Sequence, residues 1–318
     1  MNERFAVSLT RRQALRAGLS VSLGCWLGRP LWAQPPEAQL RLPLITKPIP
    51  STGETLPAIG LGTDQFDASE REAIQSEIRE MQRLGGKVID TAAAYGDSEA
   101  LIGDALASAA ERAHYFLATK LTASGRGFRG DGVGGQRSFE RSLARLHTQR
   151  IDLLQVHNLD GVDELLPLMR GWKQAGKIRY IGITTSRVQQ HAAMVQVMRR
   201  EPLDFVQVDY SIADRDAASN VLPLAQEKRI AVLANVPFGF GGVLRRAASR
   251  PLPPWAHELE VSSWAQFLLK YVISHPAVTC AIPGSTKLEH LLDNQGAARG
   301  RLPDEPMRRR MEQYWDAG

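Results

Sequence analysis

Residues 151–184 read IDLLQVHNLDGVDELLPLMRGWKQAGKIRYIGIT. An apolar run of strand length, 151–157, is followed by a segment with apolar residues three and four apart, 162–174, and then by a second apolar run, 178–184. Gly176 sits where a helix C-cap would end the middle segment. The stretch is one β/α/β unit. Neither strand alternates strictly between apolar and polar residues, which is the pattern of a parallel sheet covered on both faces.

The same alternation continues outward in both directions. Further apolar runs lie at 58–63, 87–91, 115–120, 205–210, 230–236 and 278–283, which brings the strands to eight. Helix-period segments lie at 70–84, 99–110, 136–146, 188–199 and 217–227. Eight β/α units with no second domain boundary predict an α/β fold, a single-domain (β/α)8 TIM barrel over residues 51–318. The turn at 51–54 predicts a short N-terminal β-hairpin before it, and the Pro-rich residues 34–50 read as a linker. The glycine-rich stretches 125–135 and 239–242 fall in βα loops, on the face where barrels build sites.

The 318 residues include 39 Lys+Arg, 34 Asp+Glu and two cysteines, with 43% hydrophobic residues and a formal charge of +5. This excludes a disordered, collagen-like or disulfide-scaffold chain. Residues 1–33 hold five arginines against one glutamate, so the rest is nearly neutral and no nucleic-acid partner is expected. Eleven uncharged, mostly apolar residues follow, 17–27, and then the exit Leu31-Trp32-Ala33, in the order of a secretion signal. Eleven helical residues rise only about 16 Å, roughly half a bilayer core, so no stable membrane span is expected. The order Ser8-Leu9-Thr10-Arg11-Arg12-Gln13-Ala14-Leu15-Arg16 resembles a twin-arginine signal. That resemblance implies the twin-arginine export machinery as a partner, cleavage after Ala33 and a periplasmic or otherwise exported location. Cys25 would leave with the leader, and Cys280 would stay.

Three motifs fail. Gly60-Leu61-Gly62 opens like a dinucleotide fingerprint but has Gln65 at the third glycine position. Gly171 to Lys177 matches a phosphate loop until Ile178 replaces the Ser or Thr, and it lies between a helix and a strand rather than the reverse. His257-Glu258 lacks the second histidine and no cysteine pair exists, so no metal is expected.

Polar residues at the carboxyl ends of barrel strands carry the chemistry. The second predicted strand ends in Asp90, the loop after it holds Tyr95, the third ends in Lys120 and the fourth in His157. An ammonium beside a phenol favours phenolate and is expected to lower its pKa, a carboxylate keeps the ammonium charged, and an imidazole can donate to a carbonyl oxygen.

These residues lie in Asp90-Thr91-Ala92-Ala93-Ala94-Tyr95-Gly96, Leu117-Ala118-Thr119-Lys120 and Gln155-Val156-His157-Asn158. Together with Ile181-Gly182-Ile183, Val206-Gln207-Val208-Asp209-Tyr210 and Ile282-Pro283-Gly284-Ser285, the chain resembles the aldo-keto reductase family over nearly all of its length after the leader. The resemblance implies metal-free hydride transfer to a small-molecule aldehyde or ketone from NADP(H), with NAD(H) as the alternative. It implies Tyr95 as general acid, Lys120 and Asp90 as the pair that tunes it, and His157 as the donor that orients the carbonyl. Gln207 and the Thr184 hydroxyl would meet the nicotinamide carboxamide, and Thr63 would lie near cofactor and substrate. Ser285 and Lys287 would meet a ribose 2′-phosphate, with Asp293 and Asn294 facing the adenine.

Three positions depart from the family pattern. Thr184-Thr185 stands for Ser-Asn, Asn235 for an aromatic that stacks on the nicotinamide, and His290 for an arginine. Phe238 or Phe240 is the substitute for the missing aromatic. A cofactor-binding redox sensor resembling channel β-subunits is the alternative function. A Schiff-base aldolase built on Lys120, or a glycosidase built on Asp90 and Asp209, leaves Tyr95 and His157 without a role.

Overall fold

The computed structural model describes residues 31–106, 108–124 and 134–318. The twin-arginine pattern, the apolar leader segment and Cys25 lie outside the described residues, as does most of the glycine-rich stretch 125–135.

Eight parallel strands follow one another in chain order around one sheet: β3 (Leu61–Gly62), β4 (Val88–Asp90), β5 (Phe116–Leu121), β6 (Ile151–Val156), β7 (Ile178–Thr184), β8 (Phe205–Asp209), β9 (Ala231–Asn235) and β10 (Val278–Ala281). The sheet closes on itself where parallel bridges join Ile59 to Ala281 and Gly62 to Gly284. At this seam the Gly60 N–H donates to the Ala281 carbonyl at 2.8 Å. A Cβ at Gly60 would lie 2.8 Å from the Val88 carbonyl oxygen, and one at Gly62 2.9 Å from that of Ile282. The Gly-Leu-Gly motif that fails as a dinucleotide fingerprint therefore serves barrel closure.

The residues expected to form a linker carry regular structure. A short helix, Glu37–Leu40, precedes β1 (Thr46–Pro48), which pairs antiparallel with β2 (Thr55–Pro57). The hairpin thus begins before residue 51. Ile49 and Leu56 from it join an apolar cluster with Val88, Phe116, Leu153 and Phe205, so the hairpin plugs the amino end of the barrel. Lys47 fastens it by donating to the carbonyls of His275 and Val278 at 3.0 and 2.8 Å.

Outer helices follow the strands, each burying an apolar stripe. The segment read as one helix over 99–110 is two, Ser98–Ala105 and Ala109–His114. Ser108 breaks it because its side chain and Glu111 form a reciprocal capping box that starts a new helix. The segment 217–227 divides at Asn220, whose side chain caps the helix Val221–Glu227. Among the described residues no helix is long and apolar enough to cross a membrane.

Neighbouring outer helices lock through aromatic stacking. Phe139, on helix Gly135–Arg145, lies parallel to Trp172, on helix Val162–Gln174, with centroids 4.0 Å apart. Phe139 is fully buried. Phe139→Ala is expected to lower unfolding free energy by about 3–5 kcal/mol, read as a lower urea midpoint at unchanged slope. A loss below 1 kcal/mol would show that the two helices do not depend on this contact.

Candidate active site

Parallel register sets the floor of the site. Gly62 lies beside Asp90, Lys120 beside Gln155 and Thr184 beside Gln207 on adjacent strands. Side chains separated by up to 117 residues therefore meet at one end of the barrel.

Lys120 Nζ donates to Asp90 Oδ2 at 2.6 Å and to the Thr91 carbonyl at 2.9 Å. Both side chains are nearly dry, at 1% and 4% exposure. Asp90 Oδ1 accepts from Gln207 Nε2 at 2.8 Å and from Gln155 Nε2 at 3.4 Å. Four barrel strands thus converge on one carboxylate. A buried ion pair persists only when its remaining hydrogen-bonding capacity is met, and these amides and the Thr91 carbonyl meet it.

Tyr95 and His157 stand above this pair. The Lys120 ammonium lies 4.9 Å from the Tyr95 ring centroid, and the Tyr95 and His157 rings meet edge to face at 5.7 Å. His157 is aimed by a tight turn in which Asn158 and Leu159 adopt positive φ, and the Asn158 carbonyl accepts from Gln190. All four residues expected at the catalytic end are together.

The electrostatics differ from the sequence expectation in one respect. Burial pushes the Tyr95 phenol above its ordinary value; the Lys120 charge pulls it down but does not prevail. Burial pulls Lys120 down, yet the Asp90 charge, together with Tyr95 and the hydrogen bonds to both, outweighs it and holds the ammonium above its usual range. Burial also raises Asp90 against the pull of Lys120. His157 is depressed to about 3, first by burial and then by Lys120, so at neutral pH it is an uncharged ring with one N–H to give.

A cleft of about 530 Å3 opens over this floor, a volume that fits a small ligand. Thr63 lines it and joins a hydroxyl chain, donating to the Asp90 carbonyl at 3.0 Å and accepting from Ser98 at 2.7 Å, with Thr91 next to Ser98. The Thr184 hydroxyl donates to Gln207 Oε1 at 2.9 Å, which fixes the amide orientation that faces Asp90. Asn235 donates to the Thr185 carbonyl at 3.0 Å, and its buried Oδ1 has no partner. Phe238 is buried whereas Phe240 is 75% exposed on the cleft wall, so Phe240 is the aromatic left free to stack.

At the outer end Ser285, Thr286 and His290 line the cleft, and Lys287 is the N-cap of helix Leu288–Ala297. Asp293 and Asn294 are buried behind that wall rather than lining it. Asp293 accepts from Ser263 and Gln266 at 2.7 Å each, and burial raises it to about 6 against those bonds and one from the Ala33 N–H.

Trp32 packs against two residues of the cleft wall. Its indole stacks on His290 with centroids 4.0 Å apart and meets Phe238 edge-on. The Leu31 carbonyl accepts from the Ala265 N–H, so the segment is anchored on both sides of the ring. Trp32 gives no signal in the sequence because its packing is long-range. Gln155 gives none because its motif draws attention to His157. Glu77, which accepts from Ser285 at 3.1 Å, does leave a trace as an acid on an apolar helix stripe.

Asp209, weighed as a glycosidase carboxylate, is held by His191 Nε2 at 2.9 Å outside the cleft lining. Lys120, weighed as an aldolase nucleophile, is a charged partner of Asp90 without a free lone pair.

A model of the aldo/keto reductase family matches residues 58–314. Methylglyoxal reductase YeaE of Escherichia coli strain K12 is 31% identical over 251 residues, covering 76% of this chain and 84% of that protein. The structure of an aldo/keto reductase from Klebsiella pneumoniae in complex with NADP and acetate aligns with a TM-score of 0.69 at 27% identity, over 83% of this chain and 93% of that one. With a family match over residues 58–314, most of its length, and a relative 31% identical over three quarters of it, the chain belongs to the aldo/keto reductase family.

Proposed function

We propose that the protein reduces an aldehyde or ketone to an alcohol with NADPH, using Tyr95 as the general acid. The observation that carries this reading is the buried Lys120–Asp90 pair at 2.6 Å beneath the Tyr95 and His157 rings.

The cleft fits a nicotinamide dinucleotide. Asn235 Oδ1 is an acceptor without a partner, and Asn235 lies on the cleft wall where a carboxamide N–H can approach it. Thr63, Thr184 and Gln207 would hold the nicotinamide end, with Phe240 stacking from the loop. Ser285, Lys287 and the N-terminus of helix Leu288–Ala297 would hold the phosphorylated ribose, because orphan N–H groups and a positive dipole end favour an anion. When bound, NADPH supplies the hydride.

The chain's own residues handle the proton. Neutral His157 donates to the carbonyl oxygen and sets its place. As that oxygen gains negative charge, Tyr95 Oη releases its proton to it. Lys120 then stabilises the phenolate, and solvent returns the proton. A phenol raised by burial stays protonated until the alkoxide forms beside it, so the raised value keeps the acid loaded.

Tyr95→Phe is expected to lower kcat by roughly 10²–10⁴ while NADPH binding, followed by fluorescence, stays within a factor of two. The panel of carbonyls should include methylglyoxal, the compound in the name of the Escherichia coli relative. Unchanged turnover in Tyr95→Phe would remove Tyr95 from the acid role. Steady multiple turnover on free cofactor separates an enzyme from a sensor that reacts once.

The leader is proposed to export the folded protein through the twin-arginine route, with cleavage after Ala33 and the mature chain starting at Gln34. Trp32 bears on this because it lies in the removable part and stacks on His290 of the cleft wall. A chain starting at Gln34 is expected to bind NADPH more tightly than the full chain, by roughly tenfold for the loss of one competing aromatic stack. Trp32→Ala in the full chain should match it. Equal affinities in titration calorimetry would mean that Trp32 does not compete with the cofactor.

A further inference from the structure

Helix Arg71–Arg83 buries Ile74, Glu77, Ile78 and Met81. Their spacing is that of a core stripe, and the acid occupies a position meant for an apolar residue. Glu77 is 0% exposed. Its Oε1 accepts from Ser285 Oγ at 3.1 Å, and its buried Oε2 has no partner.

The surroundings do not neutralise it. Of the charged groups on elements packed against this helix, Asp104 is bound to Arg71, Glu99 to Arg145 and Thr119, and Asp293 to Ser263 and Gln266. His290 stacks on Trp32, and Glu70 adds a like charge. Burial, opposed by the Ser285 bond and reinforced by Glu70, raises the Glu77 carboxyl to about 7. Both protonation states are therefore populated near neutrality.

We infer that Glu77 selects the 2′ group of the dinucleotide by deciding whether Ser285 offers the cleft a proton or a lone pair. This rests on the reading of the Ser285 end as the ribose site. A hydroxyl has one proton. Ionised Glu77 holds that proton, so Ser285 turns lone pairs toward the cleft, which suits a ribose 2′-hydroxyl. A 2′-phosphate then finds an acceptor and a buried negative charge instead of a donor. Protonated Glu77 donates to Ser285 Oγ and frees the serine proton for a phosphate oxygen. Lys287 touches the serine twice: its N–H donates to Ser285 Oγ at 3.3 Å, and its carbonyl, 3.0 Å away, is the acceptor from which a phosphate oxygen must draw the freed proton. NADPH is thus favoured over NADH below pH 7, and the preference falls as Glu77 loses its proton.

The test is the ratio of the NADH and NADPH dissociation constants, measured by fluorescence titration at pH 6.0 and 8.0. Wild type, Glu77→Gln and Ser285→Ala are compared. Glutamine cannot ionise, and its amide N–H is a donor for Ser285 at either pH. The 2′-phosphate titrates on its own, but equally in all three proteins. The wild-type preference for NADPH should fall by about fivefold or more beyond the change in Glu77→Gln, which should exceed wild type roughly tenfold at pH 8.0. Such magnitudes correspond to one charge-assisted hydrogen bond gained or lost. At pH 6.0, where Glu77 is protonated, Ser285→Ala should weaken NADPH more than NADH. If Glu77→Gln tracks wild type at both pH values while Ser285→Ala weakens NADPH, the ribose site stands and the role of Glu77 falls. If Ser285→Ala leaves both cofactors unchanged, the ribose site itself is misplaced and the inference falls with it.

Discussion

The Lys120–Asp90 ion pair is the constraint on which the rest of the site depends. Two opposite charges 2.6 Å apart in a nearly dry barrel end are stable only as a complete set of contacts. Asp90 needs Gln207 and Gln155 on its second oxygen, and Lys120 needs the Thr91 carbonyl. The strands that bear these residues must therefore hold their register. Gln207 in turn is oriented by Thr184, and Thr63 by the Asp90 carbonyl. The pair thus fixes the cleft wall as well as the charge under Tyr95.

Barrel closure and the chemistry are coupled at the same seam. Gly60 and Gly62 bring the first barrel strand against Val88 and Ile282, which places Thr63 beside Asp90. At the opposite end the hairpin plug with Ile49 and Leu56 seals the interior. The floor of the cleft is therefore backed by packed side chains rather than by solvent. Burial makes the Lys120 charge effective, keeps His157 neutral and leaves Tyr95 protonated.

Much of this was legible in the order of residues. Continuous apolar runs bounded by helix-period segments place all eight barrel strands, and the strand-end rule brings out Asp90, Lys120 and His157, with Tyr95 in the adjoining loop. Local patterns cannot show which distant groups a side chain will meet. Asp293 and Asn294 look like cleft residues, yet the helix turns Asp293 toward Ser263 and Gln266. Trp32 reads as part of a leader, although it packs against His290, 258 positions further along. The Tyr95 phenol shifts up, against the sequence expectation, for a related reason. Its charged neighbour could be read from the sequence, but the degree of burial could not.

The most direct measurement is the single-turnover rate of NADPH oxidation by an aldehyde in Lys120→Met, with NADPH affinity measured on the same protein. Removal of the ammonium leaves the Tyr95 phenolate unsupported and frees Asp90 to take up a proton. The account predicts a rate lowered more than roughly a hundredfold with the dissociation constant for NADPH changed only a few-fold. A folded Lys120→Met protein that transfers hydride at the wild-type rate would contradict it.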